Sequence, residues 1–335
     1  MAHTPGAGRG LAGGRCNALM LAALGLAAVA GHAAPSFAAD YPARPIKLVV
    51  PFPPGGGTDM LSRTLGNELS QALHTPVVVE SKPGAATNIA TAYVASQPAD
   101  GYTLLTGTVS FAANSALYKN LPYRPEQLLP LALLANSPSI LAVRADAKFQ
   151  NAKQLVAEGR ARPDELNYAS WGVGSSAHLA AELFRQTTAT SMTHIPYPGG
   201  GPAITSVLAG QTQLVFSSML PVQGFLKAGK MRALGIASET RSAVLPEVPT
   251  FAEQGIPLST GTWFGAFVAA GTPPPIVAVL EAGMRQALSR PEVRESIERD
   301  GAVPGYVDHQ KFSAFVEQER QRWAAVIKAA KIAPE

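Results

Sequence analysis

The sequence predicts an α/β protein of two domains, each a mostly parallel sheet flanked by helices. Three observations carry this. Short runs of β-branched residues alternate with runs of helical period along most of the chain. Several of the strand-to-helix junctions are glycine-rich. The last quarter of the chain is helical and needs a sheet built earlier to pack on.

The elements follow in order. Ile46-Lys47-Leu48-Val49-Val50 reads as a strand, PFPPGGGTD as a turn, and Met60, Leu61, Leu65, Leu69 and Leu73 as one helix face. Val77–Glu80 is a second strand, SKPGAATN a turn, and a helix runs from Ile89 to about Ala95. Asp100-Gly101 turns into the strand Tyr102–Thr106, and the apolar runs 131–135 and 139–145 are separated by Pro138. A second round opens near Lys148 with a helix, the strand Leu166–Ser170, the turn WGVGSSAH and the helix LAAELFRQTT. It continues through a strand, the turn at Gly199–Gly201, a helix with Pro202 in its first turn, and strands ending at Phe216 and Ile236. TWFGAFVAA reads as a strand, and helices follow from Thr272, Pro291 and Asp308. A helical tail without new strands suggests that the first domain is discontinuous. Its parts are residues 39–138 and 263–335, with the second domain, 139–262, inserted between them.

The first 38 residues stand apart. Arg9 and Arg15 precede the apolar run ALMLAALGLAAVAG, and Ser36 and Ala38 occupy the −3 and −1 positions of a cut before Ala39. This is the layout of a cleaved signal peptide, and the run is short for a membrane span. Cleavage removes Cys16, the only cysteine, so the mature chain is expected to lack thiol and disulfide chemistry. The net charge falls from +4 to +2 without Arg9 and Arg15, and the basic residues form no run, which argues against nucleic acid as a partner.

Three glycine turns could hold an anion: Gly55-Gly56-Gly57-Thr58, Gly172-Val173-Gly174-Ser175-Ser176 and Gly199-Gly200-Gly201. The start of a helix offers N–H groups without partners and a partial positive charge, and glycine lets a ligand approach them. A Walker phosphate loop needs Gly-Lys, whereas Gly57 is followed by Thr58-Asp59; GVGSSA lacks the last glycine of a dinucleotide fingerprint. A carboxylate suits such turns better than a polyphosphate. No serine lies in a nucleophile-elbow spacing and no H-E-x-x-H pair occurs, so cofactor, metal and catalytic residues are expected to be absent. Ser176 and His178 form a conceivable hydrolytic dyad, and a histidine that only packs near a binding turn is the plainer reading. Phe52, Phe111, Trp171, Tyr197 and Trp263 are candidates for the apolar walls of a cleft, although such residues are commonly core.

The segments RPIKLVVPFPPGGGTD, KPGA with Asn88, ADGYTLL, NYASWGVGSSAHLAAELF, HIPYPGGGPA, KAGKMRALGIAS and LPEVPTFAEQG resemble, in order and spacing, the substrate-binding receptors of tripartite tricarboxylate transporters, the Bug family. The resemblance implies a two-domain periplasmic binding protein of type II-like, flytrap form in a Gram-negative bacterium. It implies a monomer that takes a small organic carboxylate and delivers it to integral-membrane permease subunits. Carried over, the first-domain contacts come from Phe52, Gly56, Gly57, Thr58, Asn88, Ser110 and Phe111. Those of the second come from Ser170, Gly174, Ser175, Ser176 and the turn from Tyr197 through Gly199 to Gly201, while Trp171 and Trp263 stay candidates for the walls. Ala86 and Thr87 stand where relatives commonly have glycines, Phe111 where they often have His or a small polar residue, and Gln213 where an Asp is common. Phe111, Trp171 and Gln213 tilt the expected ligand toward an apolar or aromatic monocarboxylate. A ligand sensor for a signalling receptor would use the same pocket.

Overall fold

A computed structural model describes residue 6, residues 41–163 and residues 165–333. The signal-peptide reading lies outside these residues. Two mixed sheets, each covered by helices on both faces, make up the fold.

The first sheet takes β1 (Ile46–Val50), β2 (Val77–Ser81), β3 (Thr103–Gly107), β4 (Leu128–Pro138), β10 (Gly261–Ala269) and β11 (Val303–Val307), in the order β11-β4-β10-β3-β1-β2. The second takes β5 (Ile140–Arg144), β6 (Asn167–Ser170), β7 (Thr193–Pro196), β8 (Leu214–Ser217) and β9 (Met231–Ile236), in the order β7-β6-β8-β5-β9. The expectation of mostly parallel sheets needs correction. β1 pairs in parallel with β2 and β3, and β6 with β7 and β8, but every pair made by β4, β10, β11 or β5 is antiparallel. The physical reason is connectivity. β4 leaves one sheet and β5 enters the other across a single residue, Ser139, so β5 runs against strands delivered by helical crossovers. β11 was hidden in the sequence because VPGYV carries Pro304 and Gly305, which suit an edge strand and read as loop.

The helices are α1 (Gly57–Ala72), α2 (Asn88–Ala95), α3 (Val109–Leu117), α4 (Ala152–Ala161), α5 (Ser176–Thr188), α6 (Gly200–Leu208), α7 (Met219–Lys227), α8 (Pro274–Ser289), α9 (Pro291–Arg299) and α10 (His309–Ala330). Side-chain alternation along the strands sorts the core. On β1, Ile46 and Leu48 face α1, α8 and α9, while Val49 faces α2, α3 and α10. On β10, Phe264 and Ala266 take the first side and Trp263 and Phe267 the second. α4 and α5 cover one face of the second sheet, and α6 and α7 cover the other.

The last helix joins the halves. α10 lays Phe312, Val316 and Trp323 into the core of the first sheet, a core that also takes Leu179 from α5. Gln186 of α5 donates to Val326 O at 3.1 Å, and Arg322 to Ser259 O at 2.6 Å. Glu319 is buried, and its Oε2 accepts both indole N–H groups, from Trp263 at 3.1 Å and Trp323 at 2.9 Å. One carboxylate oxygen thus supplies the partner that each buried indole needs.

Candidate functional site

Helix starts define the site. In both sheets the parallel strands end in loops that lead directly into helices, the place where open α/β sheets bind ligands. Among the described residues, the helices that follow β1, β2, β3, β7 and β8 begin without a side-chain cap: their N-cap residues are Gly56, Thr87, Thr108, Gly199 and Ser218. By contrast, α4 and α10 are capped by Asn151 and Asp308. Several helix starts at parallel-strand ends therefore keep N–H groups that no side chain serves, as do α8 and α9 away from those ends, which open on Pro273 and Arg290.

The β1–α1 loop is held from behind. Asp59 Oδ2 accepts the Gly55 N–H at 3.0 Å and the Arg63 Nε–H at 2.9 Å. Burial works to raise the Asp59 pKa, but Arg63 and the Gly55 N–H together hold its carboxyl below the usual range. Asp59 thereby stays charged and turned into the loop. In front, the space is open: a β-carbon on Gly55 would meet nothing, and one on Gly56 would come no closer than 3.8 Å to Pro53 O. Phe52, Gly57 and Thr58 are half-buried beside it.

The β2–α2 loop is strained. Gly84, Ala85, Ala86 and Thr87 all have positive φ (126°, 45°, 49° and 79°), so Ala86 and Thr87 adopt the backbone that glycine would supply. Asn114 of α3 fastens this run, its Nδ2 donating to Ala86 O at 2.7 Å and to Asn88 Oδ1 at 2.8 Å. Asn88 Oδ1 also accepts the Tyr123 hydroxyl at 3.1 Å. Asn88 is buried and spends its side-chain oxygen within this brace.

Two aromatic candidates also move to the core. Phe111 is 3% exposed, its ring 4.6 Å from that of Phe267 and 6.4 Å from that of Tyr123. Its place is fixed by the apolar first turn of α3; Ser110 beside it is buried too. Trp263 is equally buried, with its N–H spent on Glu319. Gln213 is structural, accepting the Asn167 N–H at 2.7 Å. Of the three observations behind an aromatic monocarboxylate, only Trp171 keeps its place: half-buried, it leans on the start of α6, 3.8 Å from where a Gly200 β-carbon would lie.

The β6–α5 loop rests on two histidines. His178 and His194 stack with centroids 3.9 Å apart and planes 5° from parallel, and Tyr168 stacks on His194 at 5.0 Å. The Gly174 N–H donates to His178 Nδ1 at 3.1 Å, and Ser170 Oγ lies 2.6 Å from His194 Nε2. Burial, helped by Arg185, pushes the His178 pKa down to about 4; burial and the neighbouring His178 push His194 down to about 3. Both rings are neutral at pH 7. Ser175 caps α5, its Oγ accepting the His178 N–H at 3.4 Å and donating to Gly172 O at 2.7 Å. With His178 Nδ1 engaged by Gly174, the ring is a support for the loop and not the base of Ser176. Ser176 itself opens α5, half-buried. Tyr197, half-buried, donates its N–H to Ser170 O at 2.9 Å and so ties the β7–α6 loop to the β6 end, next to Gly199 with φ 128°.

These loops meet across the two halves. Gly57 at the start of α1 faces Leu220 of α7, where a β-carbon would sit 3.6 Å from Leu220 Cδ2. Gly174 packs on Leu117 and Asn114 of α3. Gln223 of α7 donates to Arg299 O at 3.1 Å. The nearby charges are already paired, Arg63 with Asp59, Lys82 with Glu80 and Arg185 with Glu182. Among the described residues no cluster of three His, Cys, Asp or Glu side chains gathers that could hold a metal. The α7 start was not foreseen, although SMLPVQGFLKAG carries the signal: a serine, a proline in the first turn and apolar residues at helical spacing.

Comparison with known proteins decides the family. The description "Tripartite tricarboxylate transporter family receptor" matches residues 61–332. The chain belongs to that family. It is 38% identical over 314 residues to Protein BugT of Bordetella pertussis (strain Tohama I / ATCC BAA-589 / NCTC 13251), covering 92% of this chain and 96% of BugT. The structure of the periplasmic binding protein BugD superposes with a TM-score of 0.80 at 31% identity, over 88% of this chain and 100% of BugD. Rpa4515 of R. palustris, solved with adipate, superposes with a TM-score of 0.82 at 35% identity, over 88% of this chain and 100% of that one. The two-domain periplasmic binding protein fold read from the sequence is therefore the fold of this family, which is one of solute-binding receptors.

Proposed function

We propose that the protein captures a small organic carboxylate between its two lobes and presents it to the integral-membrane permease of a tripartite transporter. Residues 39–138 and 263–335 would form one lobe and residues 139–262 the other, with residues 1–38 directing export to the periplasm and then removed. The observation that carries this reading is the set of uncapped helix starts, contributed by both sheets and lined by glycine at Gly56, Gly57 and Gly199. Such groups bind a carboxylate without a counter-cation, because N–H donors and helix dipoles supply the positive potential. The adipate bound to Rpa4515 supports the ligand class. Ligand-binding contacts are assigned to the backbone at Gly56, Gly57, Thr58, Ser110, Gly199 and Ser176, with Phe52, Trp171 and Tyr197 as walls. No step of bond chemistry enters: the bound state is a closed one, favoured by the ligand's greater affinity for it.

The test is a thermal-shift series of aliphatic and aromatic mono-, di- and tricarboxylates, each paired with its amide. A ligand at a hundred times its Kd adds about 2.7 kcal/mol and raises Tm visibly. The expected result is a rise with one class of acid and none with its amides. Equal rises with acid and amide would contradict carboxylate capture.

A further inference from the structure

Asn114 carries an unanswered hydrogen-bond acceptor at the contact between the lobes. The residue is fully buried, and its Nδ2 donates to Ala86 O at 2.7 Å, Asn88 Oδ1 at 2.8 Å and Thr87 Oγ1 at 3.4 Å. Ala86 O can only accept, so the amide cannot be turned over and the oxygen must face the other way. That oxygen, Oδ1, is buried and has no hydrogen-bond partner. It faces the second lobe, 3.8 Å from where a β-carbon on Gly174 would lie. Four donors of the neighbouring segments are committed elsewhere. The Gly174 N–H goes to His178 Nδ1, Ser175 Oγ to Gly172 O, the Tyr123 hydroxyl to Asn88 Oδ1 and Thr91 Oγ1 to Thr87 O. The left-handed run through Ala86 and Thr87 brings both their acceptors onto Nδ2, and so fixes the amide in this orientation.

We infer that the ligand carries a hydroxyl group beside its carboxylate, and that Asn114 Oδ1 accepts its O–H. This rests on the carboxylate reading above and narrows it to hydroxy acids. The physical basis is the asymmetry of buried polar groups. An acceptor left unpaired on closure is costly, whereas a site built to bond a ligand O–H or N–H rejects the analogue lacking it. Asn114 makes closure depend on the kind of acid as well as on its charge.

Isothermal titration of the purified protein with matched series tests this: malate, succinate and 2-methoxysuccinate; lactate, propionate and 2-methoxypropionate; mandelate, phenylacetate and O-methylmandelate, together with the amides of each. In the series that binds, the hydroxy acid is expected to bind about ten-fold or more tightly than both the deoxy acid and the methyl ether, a difference of at least one hydrogen bond. An Asn114→Ala variant is expected to lose that preference while still favouring acids over amides. Equal affinity for the three acids of a series would overturn the donor inference and leave carboxylate capture standing, as would a preference that persists in Asn114→Ala. Binding by amides as tight as by acids, or by no acid in any series, would overturn the carboxylate reading and this inference with it. Should Asn114→Ala fail to fold, the wild-type series alone decides.

Discussion

A Gly56→Val variant is expected to lose at least roughly 100-fold in affinity for the carboxylate ligand while unfolding within about 0.5 kcal/mol of the parent. Gly56 is exposed, with φ −82° and ψ 166°, an extended backbone that any residue adopts. A β-carbon there meets only Pro53 O, at 3.8 Å, so the fold has no reason to resist it. The isopropyl group would stand in front of the first N–H groups of α1. A carboxylate kept from two of those donors loses two charge-assisted hydrogen bonds of about 1.5–3 kcal/mol each. Gly57→Val is the less clean variant, since its β-carbon would lie 3.6 Å from Leu220 and disturb the approach of the lobes as well. Calorimetric titration beside denaturant unfolding separates the two effects. Unchanged affinity in Gly56→Val would remove the β1–α1 loop from the site.

The second large effect concerns acid. His178 and His194 are held neutral in the fold, with pKa values pushed down to about 4 and about 3 from an ordinary 6.5. Their contribution to stability is fully present above pH 6.5. It is lost as pH falls from there toward 4 and 3, because the unfolded chain takes up protons that the folded chain refuses. Each ring adds a slope of about 1.4 kcal/mol per pH unit within this window. His178, the more buried, loses about 3 kcal/mol in all; the more exposed His194 loses less than its shift alone would give. Asp59, held below the usual carboxyl range, begins to lose its own contribution as pH falls through the ordinary carboxyl range. Arg185, Glu182 and Tyr168 face the pair, and the Arg185–Glu182 ion pair at 2.7 Å places a cation near His178, which opposes its protonation further. Denaturant unfolding from pH 7.0 to 4.5 is expected to show this slope, and a His178→Asn variant to flatten it by about one proton. A slope that the variant leaves unchanged would contradict the assignment. Ligand affinity should hold across this range and fall only as pH approaches 4, where a proton on His178 Nδ1 removes the acceptor that holds the Gly174 N–H.

Much of this arrangement was legible in the residues. Val49-Val50 before PGGG, and Tyr168-Ala169-Ser170 before WGVGSS, announce strand, turn and helix through a change of period, because burial on a sheet and on a helix imposes different spacings. Family resemblance was legible in the same segments. What stayed hidden depended on long-range partners. Phe111 and Trp263 look the same in a sequence whether they line a cleft or fill a core; Phe267, Tyr123 and Glu319 decide it, and they lie far along the chain. Asn88 sits beside a glycine turn yet spends its oxygen on Asn114 and Tyr123. His194 carries no motif, and only the register that sets Tyr168 beside it brings it onto His178. The direction of β5 was equally invisible, because strand direction follows from which sheet the chain enters and not from the strand's own side chains.

The central claim is that helix starts from both sheets hold the carboxylate through their backbone N–H groups. Amide chemical-shift mapping of the isotopically labelled protein tests it most directly, with an acid from the thermal-shift series and its amide as titrants. The account predicts that the acid displaces the N–H resonances of Gly56, Gly57 and Thr58, of Val109 and Ser110, and of Gly199 and Gly200, while the amide leaves them in place. Shifts confined to one lobe, or gathered around side chains away from these helix starts, would contradict it.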